Sequence, residues 1–425
     1  MNTIQQYPVY ITLEKERKDE VDTLFSTWHF SYQMERFIVD TTADLGLWQA
    51  GLLCNHIDIT SIKGQGKQKV SNYCKTLEKN INKLRKEPTD YATFTPPKIK
   101  TDKYKSVLDF DGKIKLLGSC PCPKDGELTR CCNLKTLDAV QQCAYACSYC
   151  SIQSFYNSHE IKVVGNLKER LKTIELEEGT WHIGTGQSSD SLLWGNDYGT
   201  LEALNVLCER YPDLIVELKT KSSRADWIDT IPLDDHIVAS WSLNSETIAT
   251  KEELLSSPIK QRLQTARKAA DKGIPIGFHL HPIVLTKGWQ EEYKQLVDQI
   301  VDQFNPEEVV MVSMGTLTFT KAVLRKLRQE GRKSRILEME LVETAGKYSY
   351  PLETKKMFFS YVYNLFPDTW KNKQTMPFYY LCMEDPSLWL PVFGYEYRCN
   401  ADFDDAMRIA YSEKVKAIAQ SKRNQ

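Results

Sequence analysis

Three cysteines carry the sharpest chemical signal in this sequence. Cys143, Cys147 and Cys150 stand in the stretch Gln142-Cys143-Ala144-Tyr145-Ala146-Cys147-Ser148-Tyr149-Cys150. Their CxxxCxxC spacing follows directly on a predicted strand near Thr136–Val140. Thiolates are the ligands that iron–sulfur clusters use. Three of them on a four-iron cube leave one iron open to a further ligand. A structural zinc site is the competing reading; it needs four ligands, often as two CxxC pairs. Inert buried thiols are a third.

The elements that must position these thiols fall into three zones. Residues 1–115 read as a helical and basic extension. Within it Gly66–Lys86 has helical apolar spacing through Val70, Leu77, Ile81 and Leu84. Lys63–Lys105 holds 12 Lys and Arg against 4 Asp and Glu. That is a solvated helix and linker, or a surface for a phosphate backbone. Residues 116–335 alternate short apolar runs with helical patterns. Strands are expected at Trp181–Gly184, Leu214–Leu218, Ile237–Leu243, Ile274–Val284 and Val309–Ser313. Helices are expected at Leu201–Arg210, Ser257–Lys272, Trp289–Phe304 and Lys321–Glu330. With the strand before the cysteines this makes about six β/α units, hence a parallel sheet closing part of a barrel. Residues 336–425 are aromatic-rich and read as a cap ending in a charged helix.

Bulk composition narrows the function classes. The chain has 425 residues, 41% hydrophobic and 26% charged, with a formal net charge of −1. It is not a polycation, so any affinity for nucleic acid must be local. No signal peptide and no run of about 18 apolar residues is read, so the expectation is a cytoplasmic protein without a membrane partner. There the 12 cysteines are better read as reduced thiols and metal ligands than as disulfides.

The cysteine spacing, with Tyr149 just before the last thiol, resembles the radical S-adenosylmethionine (SAM) superfamily. Further stretches resemble one group within it, spore photoproduct lyase and its lyase-like relatives. The resemblance runs from about Cys122 to Gly394. It is carried by Cys122-Pro123, Cys131-Cys132, the cysteine loop, Gly184-Thr185-Gly186 with Asp190, and Lys219-Thr220-Lys221-Ser222. It continues through Ser240-Trp241-Ser242-Leu243-Asn244-Ser245, Gly277-Phe278, His281-Pro282-Ile283, Gly288-Trp289, Ser313-Met314-Gly315-Thr316-Leu317 and Tyr380-Leu381-Cys382-Met383-Glu384. The resemblance implies an α/β fold, a partial (β/α)6 radical SAM barrel with a helical N-terminal and a mixed C-terminal addition. It implies a [4Fe–4S] cluster on Cys143, Cys147 and Cys150, SAM as cofactor, and reductive SAM cleavage to a 5′-deoxyadenosyl radical. The implied activity is that of a lyase in DNA repair, with a DNA base or lesion as partner and flavodoxin or ferredoxin as electron donor. A peptide or small-metabolite substrate stays open, as does a non-catalytic iron–sulfur module that binds nucleic acid or senses redox state. The lyase's hydrogen-donor cysteine falls where this chain has Gln187, in Gln187-Ser188-Ser189-Asp190. Its tyrosine after the last cluster cysteine falls on Ser151.

By matching, Lys221 and Ser242 are expected to contact SAM, together with Tyr149, Gly186 and Ser188. Lysine suits a carboxylate and serine can hydrogen-bond it. The alternative for Lys221 is a surface salt bridge. His279 and His281 alternate on one strand and so share a face; His281 is a catalytic candidate if that face is the barrel interior, and a satisfied core pair otherwise. Asp190 would orient a ribose or base, or cap a strand end. Cys122, Cys131, Cys132 and Cys382 supply four thiols, enough for a second metal site holding zinc or iron–sulfur. Cys131 and Cys132 could instead form a redox pair or replace the missing hydrogen donor. Cys54, Cys74, Cys208 and Cys399 read as structural. Lys347 and Tyr348 could touch a phosphate and a base.

Overall fold

The main sheet is built from strands buried on both faces. Ile237–Leu243 is buried at all seven positions, as a parallel strand covered on both faces requires. The computed structural model describes residues 3–99, 105–120, 129–154, 160–344 and 346–424. Its strands are β1 (Lys105–Asp109), β2 (Leu117–Ser119), β3 (Lys135–Leu137), β4 (Val140–Gln141), β5 (Glu160–Val164), β6 (His182–Gly184), β7 (Ile215–Thr220), β8 (Ile237–Leu243), β9 (Ile276–Ile283), β10 (Val309–Thr316), β11 (Thr318–Phe319), β12 (Val342–Thr344), β13 (Lys347–Ser349) and β14 (Phe378–Leu381). Eight of them form one sheet, in the order β14-β10-β9-β8-β7-β6-β3-β2. Its pairs from β3 to β14 are parallel, and β2 joins antiparallel at the edge.

Four helices precede the sheet: α1 (Pro8–Ile11), α2 (Lys15–Thr27), α3 (Tyr32–Leu47) and α4 (Gly66–Lys86). The crossovers carry α5 (Leu167–Leu171), α6 (Thr200–Arg210), α7 (Asp226–Thr230), α8 (Glu246–Lys251), α9 (Ile259–Asp271), α10 (Trp289–Gln303), α11 (Lys321–Glu330) and α12 (Leu352–Leu365). α13 (Trp389–Phe393) and α14 (Asn400–Arg423) close the chain. Seven parallel strands joined by six crossovers make the expected partial (β/α)6 barrel. α11 has the predicted bounds for a local reason. The Thr320 hydroxyl accepts from the Val323 amide at its start, and Gly331 at φ 62° ends it in the left-handed region.

Two expectations need correction. The single strand near Thr136–Val140 is two. β3 stays in the main sheet, while β4 pairs antiparallel with β5 in a second sheet ordered β1-β5-β4. Asp138 makes the break: its amide donates to the Leu116 carbonyl at 2.7 Å and its carboxylate accepts from the Ser188 hydroxyl at 2.8 Å. The second concerns the C-terminal zone, which is more than a cap. β14 lies in the main sheet, Phe378–Leu381 pairing with Met311–Met314. Four aromatic and apolar residues inside an aromatic-rich stretch give a strand no visible period, so only the pairing reveals it. α14 then buries Phe403, Met407, Tyr411 and Val415.

α4 has the expected bounds and buries Val70, Tyr73, Leu77 and Ile81. The N-terminal layer is clamped to α11 by Asp44, 1% exposed, which binds Arg85 at 2.9 Å and Arg328 at 2.7 Å. Of the four cysteines read as structural, Cys208 is buried on α6 and Cys74 half-buried, but Cys54 and Cys399 are exposed. No helix among the described residues is long and apolar enough to cross a membrane.

Candidate active site

The cysteine loop leaves β4, the edge strand of the second sheet, in a contorted path. Gln142 at φ 76° and Ala146 at φ 53° are both non-glycine residues in the left-handed region, a cost that surrounding contacts must offset. Those contacts are backbone clamps. The Gln142 amide donates to the Ser188 carbonyl at 3.0 Å, and the Ser189 hydroxyl to the Gln142 carbonyl at 2.7 Å. The Leu255 amide donates to the Tyr145 carbonyl at 3.0 Å, Arg332 to the Ala146 carbonyl at 2.9 Å, and the Ser148 amide to the Glu252 carbonyl at 2.8 Å. So fixed, Cys143, Cys147 and Cys150 lie within electrostatic reach of one another. Burial first, then neighbouring negative groups, pushes the Cys143 and Cys147 thiols up. As thiolates they would therefore need a cationic centre beside them.

A four-iron cube takes its thiolates on separate irons, and three neighbouring thiols on one loop are a donor set of that kind.

Beside the loop lies a buried charge cluster. Glu253, with 0% side-chain exposure, binds Arg262 at 2.6 Å and Lys221 at 3.1 Å, and accepts from the Tyr149 hydroxyl. Burial alone would raise its carboxyl, but Lys221 and Arg262 outweigh that and hold it at about 2. Lys221 is thus ion-paired inside the site rather than at the surface. Glu252, also buried, accepts from Tyr91, Ser334 and Ser148, and burial pushes its carboxyl up. Neither glutamate stands out in the sequence, where they are only a pair of adjacent acids.

The other expected cofactor contacts are mostly committed. The Ser188 hydroxyl donates toward Asp138 and the Val140 carbonyl, both at 2.8 Å. Asp190 accepts from the Thr220 hydroxyl at 2.7 Å and from the Lys221 and Leu192 amides at 2.6 and 3.0 Å, so it caps the end of β7. A Cβ at Gly186 would stand 2.8 Å from the Lys219 carbonyl; glycine is there for close strand packing. Ser242 is buried on β8, and its carbonyl accepts from Arg262 at 2.8 Å.

A second group of thiols meets on the other side of the Gly186–Asp190 turn. Cys120, Cys131, Cys132 and Cys382 line a cavity of about 30 Å³, with Gln187, Glu217, Lys219 and His279 facing them. Cys122 lies outside the described residues, and Cys120, which the sequence reading left aside, joins the group. These thiols come from three segments, two of them close in sequence and the third about 250 residues on. The Cys120 amide donates to the Leu134 carbonyl, Cys131's to Asn400 Oδ1, and Cys382's to the Met314 carbonyl. Cys131 and Cys132 are hydrogen-bonded to each other, and their contact, with burial, raises the Cys132 thiol. Burial pushes Cys382 up to about 12.

The cavity floor is a directed chain. His279 Nε2 lies against Glu217, whose carboxylate also accepts from Ser240 at 2.6 Å and lies 3.2 Å from His182 Nε2. His279 Nδ1 meets Ser313 Oγ at 2.5 Å, and Ser313 meets His281 Nε2 at 3.0 Å. Burial, then Lys219, lowers His279 to about 4; burial lowers His281 too, while Glu217 stays ionised. Neutral His281 therefore donates to Ser313, Ser313 to His279, and His279 to Glu217, tautomers that follow from the acceptors available. The two histidines do share a face, but His279 lines the cavity and His281 packs beneath, against Gly315. Lys347 and Tyr348 lie on β13, with Lys321 over the Tyr348 ring and Lys347 Nζ 3.9 Å from the sulfur of Met383, which lines this cavity.

By architecture the chain belongs with partial (β/α)6 barrels that present a cysteine loop at the C-terminal ends of their strands. Two solved spore photoproduct lyase structures share that fold. One, a single mutant, has TM-score 0.51 and 19% identity over 68% of this chain and 86% of its own. The other, a double mutant with bound AdoMet and dinucleoside spore photoproduct, has TM-score 0.51 and 17% identity over 89% and 95%. A family model described as spore photoproduct lyase matches residues 199–368. The Bacillus subtilis spore photoproduct lyase is 28% identical over 113 residues, 26% of this chain and 32% of that protein. The Clostridium acetobutylicum one is 22% identical over 183 residues, 41% and 53% respectively. In these stretches the chain is similar to spore photoproduct lyases. It matches about a third to a half of the length of these curated relatives, and the family-model match begins after the cysteine loop.

Proposed function

We propose that this chain is a radical SAM enzyme of the spore photoproduct lyase type, acting on a base or lesion in DNA. Cys143, Cys147 and Cys150 would hold a [4Fe–4S] cluster. The observation that carries the reading is the clamped cysteine loop, three neighbouring thiols held against the segments that follow β6 and α8. A relative of the same fold with bound AdoMet and a dinucleoside lesion supports it. When bound, the cluster supplies an electron that cleaves SAM to a 5′-deoxyadenosyl radical.

The chain's own residues position and finish the reaction. Arg332, Ser188, Ser189 and Glu252 hold the loop. Lys221, Arg262 and Glu253 form a preorganised charge cluster beside Tyr149, in which Lys221 would be the group to pair with a SAM carboxylate; Gly186 and Ser242 would shape the wall. Because Gln187 has no S–H to give, the hydrogen donor is assigned to Cys132, hydrogen-bonded to Cys131 in the cavity that Gln187 also lines. Its S–H would break as a C–H forms on the substrate radical, and the thiyl so formed would take a hydrogen atom back from 5′-deoxyadenosine, the product of SAM cleavage. Flavodoxin or ferredoxin would supply the electron, in the cytoplasm.

The test is anaerobic reconstitution with iron and sulfide, reduction, and assay of 5′-deoxyadenosine with and without DNA. Wild type is expected to form product, and more of it with DNA. A Cys143→Ala/Cys147→Ala/Cys150→Ala variant is expected to lose its iron and fall to background. No product from wild type carrying a full cluster would overturn the enzyme reading.

A further inference from the structure

The outer face of α4 presents lysines that the fold does not use. Val70, Tyr73, Leu77 and Ile81 fix which side of the helix faces the core. At about 100° per residue, Lys75, Lys79, Lys83 and Lys86 fall on the opposite side, with Lys67 on its flank nearer the helix start. All five are exposed. The helix's other two basic residues are spent internally: Lys69 lies over the Trp28 ring at 5.0 Å, and Arg85 binds Asp44 at 2.9 Å. Of the five exposed lysines, Lys86 alone has a carboxylate within ion-pair distance among the described residues, Glu340 at 3.7 Å. The single acid within α4 is Glu78. In a chain of net charge −1, such a stripe is a local concentration of positive charge.

Its length and direction say what it fits. Lys67 to Lys86 spans about 28 Å of helix axis, comparable to about eight base pairs of duplex at 3.4 Å each. No aromatic residue stands on this face, so it lacks the stacking platforms with which single strands are held. The stripe also leads to the site. Just past α4, the Thr89 amide donates to the Leu285 carbonyl at 3.0 Å, beyond the C-terminal end of β9. The Tyr91 hydroxyl then donates to Glu252 at 2.7 Å, the residue whose carbonyl clamps Ser148 in the cysteine loop.

We infer that the outer face of α4 is a docking surface for the phosphate backbone of duplex DNA, sequence-independent, which delivers the duplex to the rim of the cysteine loop. This rests on the nucleic-acid reading above. Backbone contacts release counterions, so affinity should fall steeply with salt, by a log–log slope of about −0.9 per phosphate neutralised.

The experiment measures anisotropy of a fluorescein-labelled duplex from about 50 to about 200 mM salt, for wild-type protein and for Lys67→Gln/Lys75→Gln/Lys79→Gln/Lys83→Gln. The variant is expected to bind at least tenfold more weakly at the low-salt end. Its slope should be shallower by about three to four, with thermal melting and DNA-free SAM cleavage unchanged. A variant that binds like wild type overturns the surface and leaves the nucleic-acid reading standing. Wild type that binds no DNA overturns both. Tighter binding of a single strand of the same sequence, or preferential binding to phosphatidylserine vesicles over duplex, overturns the duplex assignment.

Discussion

The two sulfur-rich regions of this molecule are built in opposite ways. The cysteine loop draws three thiols from eight consecutive positions, and its strained backbone is clamped by carbonyls and amides from the surrounding loops. The thiol cavity draws four from three segments more than 100 residues apart at the extremes, and its wall is a buried histidine–glutamate chain. The turn Gly186–Asp190 stands between them: Ser188 and Ser189 bond toward the loop while Gln187 lines the cavity. The loop region uses ion pairs to hold charge where a cofactor would carry it. The cavity holds its imidazoles neutral. One arrangement suits electron transfer and charge, the other suits neutral hydrogen donors.

That contrast can be broken most forcefully at Glu253. Glu253→Gln strands Lys221 and Arg262 in a buried site, and removing one partner of such a cluster costs about 3–5 kcal/mol. Urea denaturation of the variant should give that loss; a change under about 1 kcal/mol would mean the cluster is solvated and not preorganised. On the cavity side the expected signature is pH dependence. His279 has a folded pKa of about 4 against 6.5 unfolded, so the unfolded chain binds the proton first. Stability is therefore full above about pH 6.5 and falls as pH drops toward 4, by roughly 2–3 kcal/mol from this group. Urea midpoints at pH 7.5 and 5 should differ accordingly, and His279→Gln should flatten the difference; an unchanged slope would place the acid sensitivity elsewhere. The smallest effect belongs to Cys382→Ser, about 1 kcal/mol for a hydroxyl in a thiol's place. Iron content at the cysteine loop should be unaltered by it. Lost iron would mean that the two regions are one metal centre and the contrast is false.

What could be read in advance follows the same division. The helices Gly66–Lys86 and Lys321–Glu330 emerge with their predicted bounds because caps and apolar spacing are local. The strand Ile237–Leu243 does too, its run being short and β-branched or aromatic in part. The three cysteines of the loop were legible because their chemistry is written in adjacent positions. Glu253, Glu252, Arg262, Glu217 and Cys120 were not, since each acquires its role from a residue far along the chain. β14 was hidden because its four residues have no period and gain their identity from pairing with β10.

The sequence by itself determined the alternation of strand and helix, and hence the parallel half-barrel, together with the thiol spacing that a four-iron cluster can use. Only the tertiary structure decided that Ser188 and Asp190 spend their side chains on strand ends, that Lys221 is ion-paired to Glu253, and that four scattered thiols share one cavity with Gln187. The reason is physical. Periodicity and local spacing act over one or two turns of chain, whereas burial, ion pairing and the shift of a histidine to about 4 depend on which distant groups the fold brings within a few ångströms.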